Sequence, residues 1–188
     1  MSYLRSFGPW IAYGIASSVV DRKAAAVVGL LVAVHAVRDQ RRRFEEVDDL
    51  SQATRLFFLA LVAVCLVAPE AALLRFTPAL SLATLGAAAG LSVLEGRPFT
   101  LTFARRTTPP ELWDLPIFHE VNRTITLVWT ASFLTTAAAC ALALALAPHE
   151  PAIWIAFQVL GFAVPVWFTS WHRGRVSARF AGPSPSAA

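Results

Sequence analysis

Six apolar stretches set the terms on which this chain can fold: residues 7–20, 24–37, 53–69, 76–95, 124–148 and 152–171. Crossing the hydrocarbon core of a bilayer takes about 20 residues of helix, within a range of roughly 17–25. The last three stretches meet that length outright. The third has a charge-free centre of only 56–68 and reaches it when extended backward through 52–54 or forward to residue 74. The first two are short. Composition agrees with lipid as the main solvent: 56% of the 188 residues are hydrophobic and 15% charged, with a mean hydropathy of +0.58. A soluble domain holds about 45–50% apolar and about 25% charged residues. The expected fold is all-α, a polytopic transmembrane helical bundle of five to six membrane segments in one domain over 1–172. A short basic, then Pro/Ser-rich and disordered, cytoplasmic tail is expected over 173–188.

The first pair of stretches is separated only by Asp21, Arg22 and Lys23. Two readings fit. Either two thin, tilted helices cross with the triad at the far surface, or a re-entrant hairpin buries its charged tip part-way into the bilayer. The second needs protein or a water-filled cavity to shield the tip. A cleaved signal peptide is a poor fit, because Pro9 interrupts the apolar run and no soluble mature chain follows.

Basic residues collect on the cytoplasmic side of membrane proteins. If every segment crosses and the N-terminus is inside, thirteen Lys and Arg lie inside and three (Arg22, Lys23 and Arg75) outside, so both termini are expected to be cytoplasmic. The loop 38–55 carries five basic and five acidic residues. Arg41 with Glu45, and Arg42 with Glu46, are four apart and would face each other on a helix extending the second segment. Asp49 and Ser51 are candidate caps for the restart.

Gly86 and Gly90 make a small-xxx-small pattern, which suits close helix approach within the chain as well as dimerisation and leaves the oligomeric state unknown. Trp10, Trp154 and Trp171 sit near segment ends as interfacial anchors. Cys65 and Cys140 lie inside apolar runs and read as packing residues. His35, His119, His149 and His172 have no metal-ligand spacing. His119-Glu120 opens like a zinc-protease motif, but Arg123 stands where the second histidine belongs. No phosphate-cradling loop or framed serine occurs, so no catalytic residue, metal or cofactor is nominated and no enzyme is expected.

Two sets of residues remain as candidate sites. The connector 96–113 interleaves apolar residues with arginines, and is expected to lie along the cytoplasmic interface with its apolar side down. Arg97, Arg105, Arg106 and Trp113 would then contact anionic headgroups or a partner. Nucleic acid is not the expected partner so close to the bilayer. Polar groups at membrane depth usually face a partner or a cavity. Asp21, Arg22, Lys23 and Asn122 are accordingly candidates for a polar cleft, with Asn122 also able to cross-link helices through its side chain.

Phe7 and Pro9 before a short apolar segment, Asp21 ahead of Ala24, Ala25 and Ala26, Arg97-Pro98 after the fourth segment, then Trp113, Asn122 and Trp129 occur together here. In this the chain resembles the bacterial intracellular septation protein A family, inner-membrane-spanning proteins of the IspZ type, over about 7–172. Trp129 follows Asn122 by seven residues, where the family has about one helical turn, and the connector is longer, so a divergent member is indicated. The resemblance implies a polytopic inner-membrane protein, without established catalysis, that supports envelope integrity, septation and elongation through contacts with envelope-synthesis or division proteins. The competing reading is a small membrane transporter or lipid-handling protein with its polar cleft near Asp21–Lys23.

Overall fold

The computed structural model describes residues 3–44 and 47–180, and among these every regular element is helical. Seven α-helices follow one another: α1 (Tyr3–Ala16), α2 (Arg22–Phe44), α3 (Asp49–Val67), α4 (Thr77–Leu94), the short α5 (Phe99–Arg105), α6 (Pro116–Leu146) and α7 (Pro151–Phe180). Single 3-10 turns at Ala72–Phe76 and Pro110–Leu112 lead into α4 and α6.

The sequence writes most of these boundaries locally. Asp21 starts α2 by accepting from the Ala24 N–H at 2.9 Å, and Asp48 starts α3 by accepting from the Ser51 N–H at 2.8 Å. Each replaces an intrahelical partner that a helix N-terminus lacks. Pro78, Pro116 and Pro151 stand in the first turns of α4, α6 and α7, where a missing N–H costs nothing. α4 ends at Gly96, whose φ of +73° is the left-handed conformation that closes a helix; the Arg97 N–H then reaches back to the Ser92 carbonyl at 2.9 Å.

Among the described residues, four helices are long and apolar enough to cross a membrane: Asp49–Val67, Ala72–Leu94, Pro116–Leu146 and Pro151–Ser177. That fits a multi-pass membrane protein and falls below the expected five to six segments. α1 has 14 residues, about 21 Å of helix at 1.5 Å per residue, against a core of about 30 Å. α2 has the length, but Arg38, Arg41, Arg42 and Arg43 occupy its last turns. The two nevertheless form an antiparallel pair packed on α3. At their turn Ser17 to Lys23 are all exposed, so the protein provides none of the shielding that a buried hairpin tip requires. The expected tail also begins later than the sequence suggests: 173–180 continues α7, because nothing in His172-Arg173-Gly174-Arg175 forbids helix once the preceding turns are formed. Residues 181–188, and the Glu45 and Glu46 partners expected for Arg41 and Arg42, lie outside the described residues.

Two apolar clusters hold the bundle. One gathers Phe58, Leu61, Cys65, Leu74, Ala26 and Ala33 between α2, α3 and the turn before α4. The other joins α1, α4, α5, α6 and α7 around aromatic rings: Phe7 stacks on Trp129 at 5.5 Å and meets Phe162 edge-on at 5.0 Å. Phe7 and Trp129, far apart along the chain, are thus one contact. The small-residue stripe is spent inside the chain. A Cβ on Gly86 would come within 2.7 Å of Leu134, and one on Gly90 within 3.2 Å of Thr130, so these glycines let α4 approach α6. Both cysteines are buried and unpaired, one in each cluster.

Inside α7, Pro165 has no N–H to offer the Gly161 carbonyl four residues back. The Ser132 hydroxyl of α6 donates to that carbonyl instead, at 3.3 Å. One turn on, the Trp129 indole N–H donates to Thr169 Oγ1 at 3.1 Å, and that hydroxyl donates to the Pro165 carbonyl at 2.7 Å. A proline at membrane depth is tolerated when a neighbouring helix satisfies the freed group.

Candidate functional site

Helix alternation gives the molecule two unlike ends. One holds the turn after α1, the link from α3 to α4, and the link from α6 to α7. The other collects the ends of α2, α4 and α7, the starts of α3 and α6, and α5; here lie Arg38, Arg41–Arg43, Arg97, Arg105, Arg106, Arg123, Arg173 and Arg175.

The cleft expected from Asp21, Arg22, Lys23 and Asn122 is not assembled. The first three are exposed at the start of α2. Gln40 of the same helix bonds to Asp48 at the arginine-rich end, and Gln40 lies eighteen positions along the helix from Arg22, about 27 Å. Asn122 belongs to that second end and is 4% exposed. Sequence spacing cannot say which ends of distant helices meet, and here the alternation of direction separates them.

The connector departs from expectation in a more useful way. The apolar side of α5 is packed against the rest of the protein rather than left free for lipid: Phe99, Thr100, Leu101, Phe103 and Ala104 are all buried. Three polar contacts fix it. The Ser92 hydroxyl accepts from the Phe99 N–H at 3.0 Å, which satisfies one N–H at the helix start. Thr100 Oγ1 donates to the Asn122 carbonyl at 2.9 Å and shares a 2.8 Å hydrogen bond with Thr126 Oγ1. The cross-link expected of Asn122 therefore runs through its main chain, while its side-chain amide donates to the Phe118 carbonyl of its own helix at 2.8 Å. Thr100 and Thr126 were readable as hydroxyls in apolar surroundings, and Thr126 lies one turn beyond Asn122; the partnership across 26 residues had no sequence signal.

The four interfacial candidates stay at this end and divide by environment. Arg97 is exposed and pairs with Glu95 at 2.6 Å. Arg105 is exposed, its guanidinium 5.4 Å from the Trp113 ring centre, and the half-buried Trp113 donates its indole N–H to the Thr108 carbonyl at 2.9 Å. Arg106 turns inward, 5.4 Å from the Phe103 ring. Burial pulls its guanidinium below the ordinary value, and the Asp48 carboxylate pushes it back up. An arginine stays charged under such a shift, so Arg106 brings fixed positive charge near a buried carboxylate.

That carboxylate is well satisfied. Asp48 Oδ2 accepts from Gln40 Nε2 at 2.7 Å and from the Ser51 hydroxyl at 2.9 Å, beside the helix-capping bond of its Oδ1. Gln40 Nε2 also donates to Ser51 Oγ, and Gln40 Oε1 accepts from the Asp48 N–H. These groups clasp α2 to α3 and leave little capacity for a ligand.

A cavity of about 110 Å³ opens between the end of α5, α6 and the last turns of α7. Thr108, Asn122, Arg173 and Ser177 supply its polar wall; Ala104, Phe118, Val121, Ile125 and Val176 supply the apolar one. Arg173 and Ser177 went unrecognised because the tail had been expected to be disordered. Among the described residues no cluster of His, Cys, Asp and Glu suited to a metal ion occurs. Comparison with protein-family models, with curated proteins and with solved structures finds no match to this chain.

Proposed function

We propose that this protein is a non-enzymatic inner-membrane component of bacteria, with both termini cytoplasmic. It would support envelope integrity, septation and elongation by binding lipid or envelope-synthesis and division proteins. The carrying observation is the arginine-rich end, where Arg97 and Arg105 are exposed around an otherwise buried α5 and a half-polar cavity opens beside Asn122. A basic residue close to an anionic surface contributes about 1 kcal/mol, so a cluster of them gives a firm electrostatic footing. Exposed apolar side chains on α7, among them Ile155, Val159, Val164 and Trp167, suit a lipid-facing flank. The septation and division part of the reading comes from the resemblance in Phe7, Pro9, Arg97, Pro98, Asn122 and Trp129 to the intracellular septation protein A family. The transporter reading loses support, since Asp21, Arg22 and Lys23 line no cleft with Asn122.

Two experiments test this. Single cysteines at Lys23 and Arg41 should react with a membrane-impermeant maleimide from opposite sides, Lys23→Cys in intact spheroplasts and Arg41→Cys only after lysis. Removal of the protein from its host should alter cell length or raise sensitivity to detergent; unchanged morphology and resistance would refute the envelope role.

A further inference from the structure

The cavity beside Asn122 has a composition that selects among ligands. Its charged wall is Arg173 alone, with no carboxylate in the lining, and Arg173 makes no ion pair among the described residues. Thr108 and Ser177, two hydroxyl-bearing residues, are in the same lining, Ser177 one helical turn after Arg173. A guanidinium with hydroxyl-bearing residues in the same lining suits a phosphate, which an arginine holds by charge-assisted, bidentate hydrogen bonds. The cavity is half open, so a phosphate group can sit in it while the rest of the molecule extends outside.

The other wall says what carries the phosphate. Val121, Ile125 and Val176 would meet hydrocarbon rather than water, and the cavity adjoins α7, the least buried of the four long apolar helices. A free phosphate gains nothing from such a wall. A phosphodiester with acyl chains can place its charge on Arg173 and its glycerol end on the apolar side, with the chains running along the exposed flank of α7. Depth agrees. The site lies where α6 begins and beside the arginines, the level at which headgroups are expected if this end faces the inner leaflet.

We infer that this cavity binds the phosphodiester of an anionic phospholipid, with Arg173 as the charged contact and Thr108 and Ser177 as hydroxyl donors. This deepens the lipid-binding reading and rests on it. Phosphatidylglycerol, titrated onto delipidated full-length protein in neutral detergent and followed by native mass spectrometry, should bind about tenfold more tightly than phosphatidylcholine. Arg173→Gln should weaken phosphatidylglycerol about tenfold and Arg173→Lys less. Arg175→Gln, whose arginine packs on Trp171 outside the cavity, should change it by less than about twofold. Val176→Trp, which fills the space without altering charge, should lower binding as far as Arg173→Gln.

Equal losses from Arg173→Gln and Arg175→Gln would mean diffuse attraction and overturn the site. So would equal binding of the two lipids. Displacement of the lipid by millimolar inorganic phosphate would assign the site to free phosphate and overturn the lipid assignment. The envelope reading fails separately: loss of selective binding leaves a morphological defect standing, and absence of a defect leaves the measured lipid selectivity standing.

Discussion

Two polar interruptions of this apolar chain meet opposite fates. Residues 17–23 turn between α1 and α2 with every side chain exposed, held by local hydrogen bonds back to the end of α1 and by the Asp21 cap. Residues 96–108 turn between α4 and α6 and pack a helix against the bundle, with five of its seven residues buried. Asp21, Arg22 and Lys23 are the more conspicuous in sequence because full charges stand out in an apolar context. Thr100 is quieter and far better integrated, since a hydroxyl can be satisfied inside protein at small cost whereas an unpaired ion cannot. Charge density marks where a chain meets water or headgroups; mild polarity amid hydrophobic residues marks where helices are joined.

The contrast can be broken by substitution, and thermal unfolding in detergent measures each case. Phe99→Ala should cost about 3 kcal/mol, because a large buried ring leaves a cavity that α4 and α6 cannot fill, while Val19→Ala in the exposed turn should stay within about 0.5 kcal/mol of the parent. A similar penalty for the two would put α5 on the surface. Asp48→Ala should cost about 2 kcal/mol: Gln40 and Ser51 lose their acceptor, α3 loses its cap, and Arg106 loses a neighbouring carboxylate. Thr100→Val keeps the shape of the side chain and removes both its bonds; a loss of about 1 kcal/mol is expected, and none at all would mean that Thr126 and the Asn122 carbonyl find other partners. Asp21→Ala should fall lowest, at about 0.5 kcal/mol, as an exposed cap whose N–H partner can turn to water.

Salt sharpens the same comparison. The Arg97–Glu95 pair is exposed on both sides, so Arg97→Gln should leave stability unchanged at ordinary ionic strength. The clasp around Asp48 is buried and should keep its contribution as salt rises, because screening acts mainly on solvent-exposed charges.

How much was legible in the sequence follows from what each feature depends on. Apolar runs at 76–95, 124–148 and 152–171 became α4, α6 and α7 because twenty or so residues without charge leave a backbone in lipid little alternative to helix. Caps and prolines set most boundaries within a residue or two, being local contacts. The first pair was harder: 14 residues in α1 satisfy helix formation without reaching across a bilayer, and α2 mixes an apolar start with an arginine-rich finish. Residues 173–180 continue α7, where preceding helix carries more weight than basic composition. Of the expected cleft only Asn122 reached the cavity, and Arg173 joined it from the opposite end of the chain.

By itself the sequence determined an all-helical chain suited to lipid, with arginines gathered between alternate segments, because hydropathy and charge act residue by residue. Only the tertiary structure decided that Phe7 stacks on Trp129, that Ser132 serves the carbonyl freed by Pro165, and that the apolar side of α5 packs against the rest of the protein. Those pairings depend on which helices are neighbours and at what height they meet. Packing of small residues and satisfaction of buried polar groups decide that together, and no single segment contains both halves of either.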